Sequence, residues 1–190
     1  MKKIFWPLVL LVFGCGVKVP DDNFFSCPTS EDFTGNGAIY NMNAGEKIAN
    51  RFHLNGLNTA TLNLSSVRLY MSTDNITSVT AKIYLGDDND PDSGTLLGTG
   101  TGVVSTHTSN PNTPVDIYFS NPVKLAVTTP NSDSYYLVIE SSSGAYDVTV
   151  STISKISRSR MDQYTSGSWR IGAQGVENIS MVFNYSGCSK

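Results

Sequence analysis

The densest group of side chains that could bind a metal ion lies in one acidic segment, residues 87–94. Asp88, Asp90 and Asp92 alternate there, and calcium takes about six to eight oxygen ligands, which close carboxylates supply. The match to a calcium loop is partial, because Ser93 stands in place of its glycine and Thr99 in place of its bidentate glutamate. The segment therefore fits a calcium site or a solvated hairpin turn, for which Asp, Asn and Gly are equally typical. No other cofactor is predicted.

A second candidate site is aromatic. Three tyrosines occupy outward positions of predicted strands: Tyr70, Tyr84 and Tyr118. Their neighbours on the same faces are polar and charged, namely Arg68, Lys82 and Asp116. If these strands share a sheet, the tyrosines form an aromatic platform with hydrogen-bonding neighbours, which suits sugar rings, and we expect at least two of them on one exposed face. The alternative is that exposed strand tyrosines only stabilise cross-strand pairs.

Catalytic chemistry finds little support in the sequence. The chain has two histidines, His53 and His107, and no His-Glu-x-x-His motif. The glycine-rich stretch at residues 98–102 precedes no predicted helix, so a phosphate cradle is not expected. A glycosidase would need two facing carboxylates. The glutamates are instead scattered along the chain, at Glu31, Glu46, Glu140 and Glu177. We predict no catalytic residue and no enzyme.

The N-terminal segment has the pattern of a secretory signal peptide. Lys2 and Lys3 give a basic start, and an apolar run at residues 4–13 follows, interrupted by Pro7. A bilayer-spanning helix needs about 20 apolar residues, so the run is too short to cross. It fits the apolar region of a signal peptide, which is removed from the mature protein.

The end of this segment, Val12-Phe13-Gly14-Cys15, resembles a bacterial lipobox, although Phe13 is bulkier than the usual residue there. The resemblance to lipoprotein precursors implies cleavage before Cys15 and attachment of a lipid, with palmitate among its acyl chains, to the Cys15 sulfur. The chain would then be lipid-anchored in the bacterial cell envelope. Gly16 stands in place of the aspartate that retains enteric lipoproteins at the inner membrane, which favours the outer membrane. The alternative is an ordinary signal peptide with Cys15 incidental.

The three cysteines agree with this interpretation. If Cys15 carries a lipid, Cys27 and Cys188 remain as an even pair near the two ends of the mature chain, in a compartment that can be oxidising. Domain termini usually lie close together, so we expect an intramolecular Cys27–Cys188 disulfide. Two free thiols, or pairing between chains, are the alternatives.

Composition and charge limit the partners. The formal net charge is −3 and no basic run occurs, which argues against nucleic acid as a partner. We divide the chain into a signal peptide at residues 1–14, a lipidated tether at 15–36 and a β-sandwich domain at 37–190. The membrane, through the lipid anchor, and a glycan or protein are the partners that remain.

From residue 38 onward, apolar side chains alternate with polar ones, as half-buried strands require. Predicted strands occupy residues 48–54, 66–71, 79–85, 115–119, 135–139, 146–150 and 179–185. Residues 135–139 are apolar on both faces, which indicates a central strand covered on both sides. Short strands separated by turn clusters predict an all-β antiparallel sandwich without helices.

Several short stretches carry a family resemblance: Ala49-Asn50-Arg51-Phe52, Ala81-Lys82-Ile83-Tyr84, Pro122-Val123-Lys124-Leu125 and Ser168-Trp169. They resemble the jelly-roll β-sandwich domains called choice-of-anchor domains, which are similar in fold to carbohydrate-binding modules. The resemblance spans about residues 45–185 and implies a jelly roll, but it brings no site residues with it. It favours a non-catalytic, envelope-anchored lipoprotein that serves as a binding or presentation module at the bacterial cell surface or in the periplasm. The alternatives are a carbohydrate-binding module that uses the tyrosines, and a structural or host-adhesion lipoprotein without a small ligand.

Overall fold

The structure is a computed structural model that describes residues 27–35, 37–54, 61–87, 90–105, 113–127, 134–151, 159–173 and 175–189. Cys15, Asp88 and His107 lie outside these residues. The described part of the chain forms strands, turns and bends, and no helix. Accordingly, none of it forms a helix with the length and apolarity that a membrane crossing needs.

Thirteen strands occur within the described residues. They are β1 (Ser30–Asp32), β2 (Ile39–Met42), β3 (Lys47–Phe52), β4 (Thr61–Ser72), β5 (Thr77–Asp87), β6 (Asp90–Val104), β7 (Thr113–Ala126), β8 (Ser134–Glu140), β9 (Tyr146–Ser151), β10 (Arg160–Thr165), β11 (Ser168–Arg170), β12 (Asn178–Ile179) and β13 (Met181–Ser189).

All strand pairs are antiparallel, and the strands follow one another in the order β1-β13-β4-β7-β6-β5-β8-β3-β10-β11, with β9 joining β4, β2 and β12. The sheet folds back on itself, so that its two halves enclose one core. β4, β7, β9 and β13 belong to the first half, and β3, β5, β8 and β10 to the second. From β3 to β5 and again from β7 to β10, consecutive strands thus alternate between the halves, as in a jelly roll, whereas β5–β6 and β10–β11 are hairpins. The predicted fold class, an all-β antiparallel sandwich, is confirmed.

The core follows the alternation read from the sequence. Val67, Leu69 and Met71 of β4 are fully buried, and Val115 and Ile117 of β7 face them from the adjacent strand. In β8 both faces are covered: Tyr135, Leu137 and Ile139 join the main core, whereas Tyr136 and Val138 join a second cluster on the outer side. The predicted doubly covered strand is therefore confirmed.

Two details differ from the expected pattern. Leu85 was expected to face the core, but it is 36% exposed because the register of the β5–β6 pair is irregular around it and the hairpin leaves the core there. The glycines at residues 98–102 lie inside β6, where a Cβ at Gly100 would stand 2.7 Å from the Tyr118 carbonyl oxygen. Close approach of β7 thus explains the glycine there.

Cys27 and Cys188 form the expected disulfide, with their Cα atoms 5.7 Å apart and a separation of 161 positions in sequence. The bridge lies beside the β1–β13 pair, where the Tyr185 hydroxyl donates to Glu31 Oε2 over 2.6 Å. The sheet therefore begins within residues 15–36, the segment interpreted as a tether.

Candidate functional site

The outward face of β4 and β7 carries an ion pair at its centre. Arg68 stands directly opposite Asp116 in the strand register. Its Nε donates to Asp116 Oδ1 over 2.7 Å and its Nη2 to Asp116 Oδ2 over 2.9 Å. These hydrogen bonds hold the pKa of the Asp116 carboxyl below its usual value, even though partial burial acts to raise it. The two charges neutralise each other on an otherwise polar, solvent-facing surface.

A tyrosine flanks this ion pair on each side. Tyr118 lies opposite Ser66 and is 67% exposed, while Tyr70 lies opposite Pro114 and is half-buried. Because Ser66 and Tyr70 are four positions apart on one strand, the two tyrosines stand about 14 Å apart along it. We call the surface formed by Arg68, Tyr70, Asp116 and Tyr118 the platform.

Local sequence places the platform residues outward. Val67 and Leu69 alternate with Arg68 and Tyr70, and burying the apolar pair forces the other two to the solvent side. At the edge of the platform, Asn184 on β13 donates through Nδ2 to Ser66 Oγ over 3.2 Å, which adds an amide beside Tyr118. Two of the three tyrosines singled out in the sequence thus share one exposed face.

Tyr84 is a different case. It points away from the main core, as its position in β5 requires, but it is only 9% exposed. It lies in the second hydrophobic cluster, on the outer side of the other half of the sandwich, with Ala49, Tyr136 and Val138, and Trp169 packs against this cluster. The expectation that Tyr84 is an exposed platform residue is therefore corrected, because other parts of the chain cover it.

The side chains that cover Tyr84 meet at Asp92. Trp169 Nε1 on β11 donates to Asp92 Oδ1 over 2.9 Å, and Lys47 Nζ reaches Asp92 Oδ2 over 2.5 Å. Burial raises the pKa of the Asp92 carboxyl, but the hydrogen bonds from Lys47 and Trp169 outweigh it, so the pKa lies below its usual value. Asp92, at the start of β6, thereby joins the β5–β6 hairpin to β11.

Further contacts hold the same surface together. The Trp169 ring meets Tyr164 edge-on with centroids 5.4 Å apart, and Lys47 Nζ lies 5.0 Å from the Tyr164 ring centroid. Glu140 is the second carboxylate there and pairs with both Lys47 and Lys82. These ion pairs join β3, β5, β6 and β8 on the outer side of the sandwich.

Trp169 had no assigned role in the sequence, since it follows a turn signal and shows no periodicity. One signal could have indicated its position. Ser168-Trp169-Arg170 follows Gly167 and forms the second strand of a hairpin, in which Trp169 lies opposite Tyr164. The contact with Asp92 has no sequence signal, because 77 residues separate the two.

At one end of the sandwich the loops enclose a polar cleft of about 460 Å³. It is lined by the β2–β3, β4–β5 and β8–β9 connections and by the strand ends beside them, including Asn41, Asn75, Ile76, Ser143 and Asp147. Ser72 Oγ at the end of β4 donates to Asp147 Oδ2 over 3.3 Å. We call this the end cleft. The sequence showed turn signals in these connections, but nothing that joined them into one cavity.

A smaller cleft of about 210 Å³ lies near β10 and β11. Tyr40 donates there to Glu177 Oε2 over 3.1 Å, and burial together with this carboxylate raises the pKa of Tyr40. Gln163 and Arg170, which face each other across the β10–β11 pair, complete its polar lining.

The acidic segment is only partly described. Asp90 and Asp92 lie at the start of β6, Asp88 lies outside the described residues, and both Asp92 oxygens already accept hydrogen bonds. Within the described ranges, no group of three or more His, Cys, Asp or Glu side chains is arranged to hold a metal ion. Calcium binding at Asp88, Asp90 and Asp92 stays a prediction.

Comparison with known proteins adds a structural likeness to this description. No protein-family model matches the chain, and no curated protein matches it. Among solved structures, the chain is similar to CsCBM6-3 from Clostridium stercorarium in complex with cellobiose, with 22% sequence identity. The match covers 65% of this chain and 80% of that one, with a TM-score of 0.33. A likeness at this level assigns neither ligand nor site to this chain.

Proposed function

We propose that this protein is a lipid-anchored, non-catalytic module that binds a glycan at the bacterial envelope through the platform. The observation that carries the proposal is the arrangement of Tyr70 and Tyr118 on either side of the Arg68–Asp116 ion pair, on a face open to solvent. Aromatic faces pack against the C–H faces of sugar rings, and flanking polar groups hydrogen-bond their hydroxyls.

The same geometry favours binding over catalysis. Asp116 is the carboxylate at the centre of the platform, and both its oxygens accept from Arg68. A glycosidase needs one carboxyl group that can donate a proton and a second one, about 5–9.5 Å away, that acts as nucleophile or base. A carboxylate held ionised by a bidentate guanidinium does not serve as the proton donor.

The test is a glycan array probed with the full chain in detergent micelles. Tyr118→Ala should weaken binding to the glycans that the wild type retains by about fivefold or more, the scale of a lost aromatic contact. Leu96→Ala is the control, because it removes an exposed apolar side chain from β6, five positions from Thr101, the β6 residue that lies opposite Tyr118. If the wild type binds no glycan on the array, glycan binding is rejected and the structural or host-adhesion role takes its place.

The anchor is part of the same proposal. Cys15 carries the lipid and places the domain at the outer membrane, and two acyl chains on one residue supply stable attachment that a single chain does not. Wild type expressed in a bacterial host should label with palmitate and partition into detergent, and Cys15→Ala should do neither. Labelling that persists in Cys15→Ala would contradict the anchor while leaving the glycan proposal intact.

Calcium is a separate and optional ligand. If residues 88–92 bind it, titration calorimetry with calcium chloride should give a signal that Asp90→Asn abolishes. In that case calcium must compete with Lys47 and Trp169 for the Asp92 carboxylate, and the hydrogen bonds from these two side chains should lower the affinity for calcium. No heat of binding at millimolar calcium would reject the site.

A further inference from the structure

The platform leads along β4 toward the end cleft. Ser66, Arg68, Tyr70 and Ser72 share one side of β4, two positions apart at each step, and of these Arg68 and Tyr70 reach solvent while Ser66 and Ser72 are buried. Ser72 pairs with Asp147 of β9 and donates to its carboxylate. Asp147 in turn lines the end cleft. A ligand lying along β4 beyond Tyr70 therefore reaches the cleft opening.

The length of this surface limits the ligand. Ser66, which lies opposite Tyr118, and Ser72 are six positions apart on one strand, a distance of about 20 Å. A monosaccharide contacts one tyrosine at most, because Tyr70 and Tyr118 are themselves about 14 Å apart. Only a chain of several sugar units can touch both tyrosines and also enter the end cleft.

The lining of the end cleft indicates which unit it takes. Asn41 and Asn75 present exposed side-chain amides, which both donate to and accept from hydroxyl groups. Ile76 is 73% exposed at the rim and offers an apolar contact for a ring face. The cleft therefore combines amide groups with one apolar contact. Such a combination orients a ring that carries several hydroxyl groups.

Charge restricts the ligand further. Asp74 and Asp147 both line the cleft, and its described lining contains no Lys, Arg or His. On the platform, the Arg68 charge is already neutralised by Asp116. A uronic or sialic acid unit in the cleft would bring a third carboxylate beside two others without a cation, and like charges at close range repel.

We infer that the ligand is a neutral oligosaccharide that lies along β4, with its body on the platform and one end unit in the end cleft. The inference rests on the proposed glycan-binding function and adds two properties to it: affinity grows with chain length beyond the reach of the platform, and acidic chains are rejected.

The experiment uses the full chain in detergent micelles and fluorescence-labelled homo-oligosaccharides from one to six units. The neutral probes are β-1,4-glucose, α-1,4-glucose, β-1,4-xylose and β-1,4-mannose series, and the acidic probe is the galacturonic acid series. Ser143→Trp fills the cleft from an exposed lining position, and Asn75→Ala removes one of its amides. Ser142→Trp is the matched control, since Ser142 is exposed, adjacent in sequence and outside the lining.

For at least one neutral series we expect the hexasaccharide to bind more tightly than the disaccharide. Ser143→Trp should weaken the hexasaccharide by roughly tenfold, equivalent to losing two or three hydrogen bonds, and leave the disaccharide unchanged. Asn75→Ala should act in the same direction by a smaller factor, whereas Ser142→Trp should match the wild type. The acidic hexamer should bind no more tightly than its monomer.

The outcomes separate the inference from the function it extends. Neutral binding that depends on Tyr118 but is indifferent to chain length or to Ser143→Trp would overturn the inference and leave the proposed function standing. Preferred binding of the galacturonic acid series would also overturn it. If no neutral or acidic series binds the wild type, the proposed function and the inference fall together.

Discussion

Trp169 Nε1 donates a hydrogen bond of 2.9 Å to Asp92 Oδ1, and this contact joins β11 to the β5–β6 hairpin across the outer side of the sandwich. The joined segments cover Tyr84 and Tyr136 from solvent. This half of the fold is therefore closed on its outer side, whereas the half that carries Tyr70 and Tyr118 is open. The contrast separates the tyrosines that can meet a ligand from the one that cannot.

The Trp169–Asp92 contact should contribute measurably to stability. Trp169→Phe keeps an aromatic ring against Tyr164 but removes the N–H donor, so we expect a loss of about 1 kcal/mol in the free energy of unfolding. Urea denaturation followed by circular dichroism measures it. In a double-mutant cycle with Asp92→Asn, the two losses should be less than additive, because both variants break one interaction. Strict additivity would show that the hydrogen bond contributes nothing.

Acid should destabilise the protein partly through Asp92. Its pKa is lower in the folded state than in the unfolded chain, where an aspartate titrates near about 3.9. A group of this kind contributes stability at pH values above its unfolded pKa, and the contribution is lost as the pH falls through the folded pKa. We expect the wild type to lose stability steeply below about pH 4 and Asp92→Asn to show a shallower decline.

Asp90 supplies the control for this pH dependence. Burial and its hydrogen bond with Asp92 raise the pKa of Asp90, which is the opposite direction. Its contribution is therefore present at low pH and is lost as the pH rises through its folded pKa. Asp90→Asn should steepen the acid decline or leave it unchanged. A decline equally steep in wild type and in Asp92→Asn would contradict the assignment to Asp92.

Residue periodicity was sufficient to predict the fold class and the outward direction of Tyr70 and Tyr118. These features depend on one strand at a time, because burial of Val67 and Leu69 decides where Arg68 and Tyr70 point. The disulfide was also predictable, since it needed only a count of cysteines and the closeness of chain ends.

What the sequence could not show depends on contacts between distant segments. Tyr84 points outward as expected, but its cover comes from Trp169 and Asp92, which lie in other strands. The strand β6 was missed because it is rich in Gly, Asp and Thr, and β1 and β11 because they have three residues each. The end cleft forms from connections that are separate in sequence, so no local pattern announces it.

The Cys27–Cys188 disulfide should be a major source of stability. It links two residues 161 positions apart in sequence, and removing a native disulfide of a small secreted domain typically costs about 2–5 kcal/mol. The double variant Cys27→Ser/Cys188→Ser should unfold at correspondingly lower urea concentration than the wild type. Reducing agent should destabilise the wild type and leave the double variant unchanged. Mass spectrometry of unreduced peptides should find the pair, and two alkylatable thiols in the folded protein would refute it.

The last prediction contrasts two tyrosines on the two halves of the sandwich. Tyr84→Ala removes a ring that is 9% exposed and packed in the second cluster with Tyr136, so it should lower the free energy of unfolding by about 3 kcal/mol or more. Tyr118→Ala removes a ring that is 67% exposed, so stability should change by about 0.5 kcal/mol or less. Binding should show the reverse order: Tyr118→Ala weakens glycan retention, and Tyr84→Phe, which keeps the ring, does not. Loss of binding in Tyr84→Phe with unchanged stability would place the ligand on the covered half and contradict the platform.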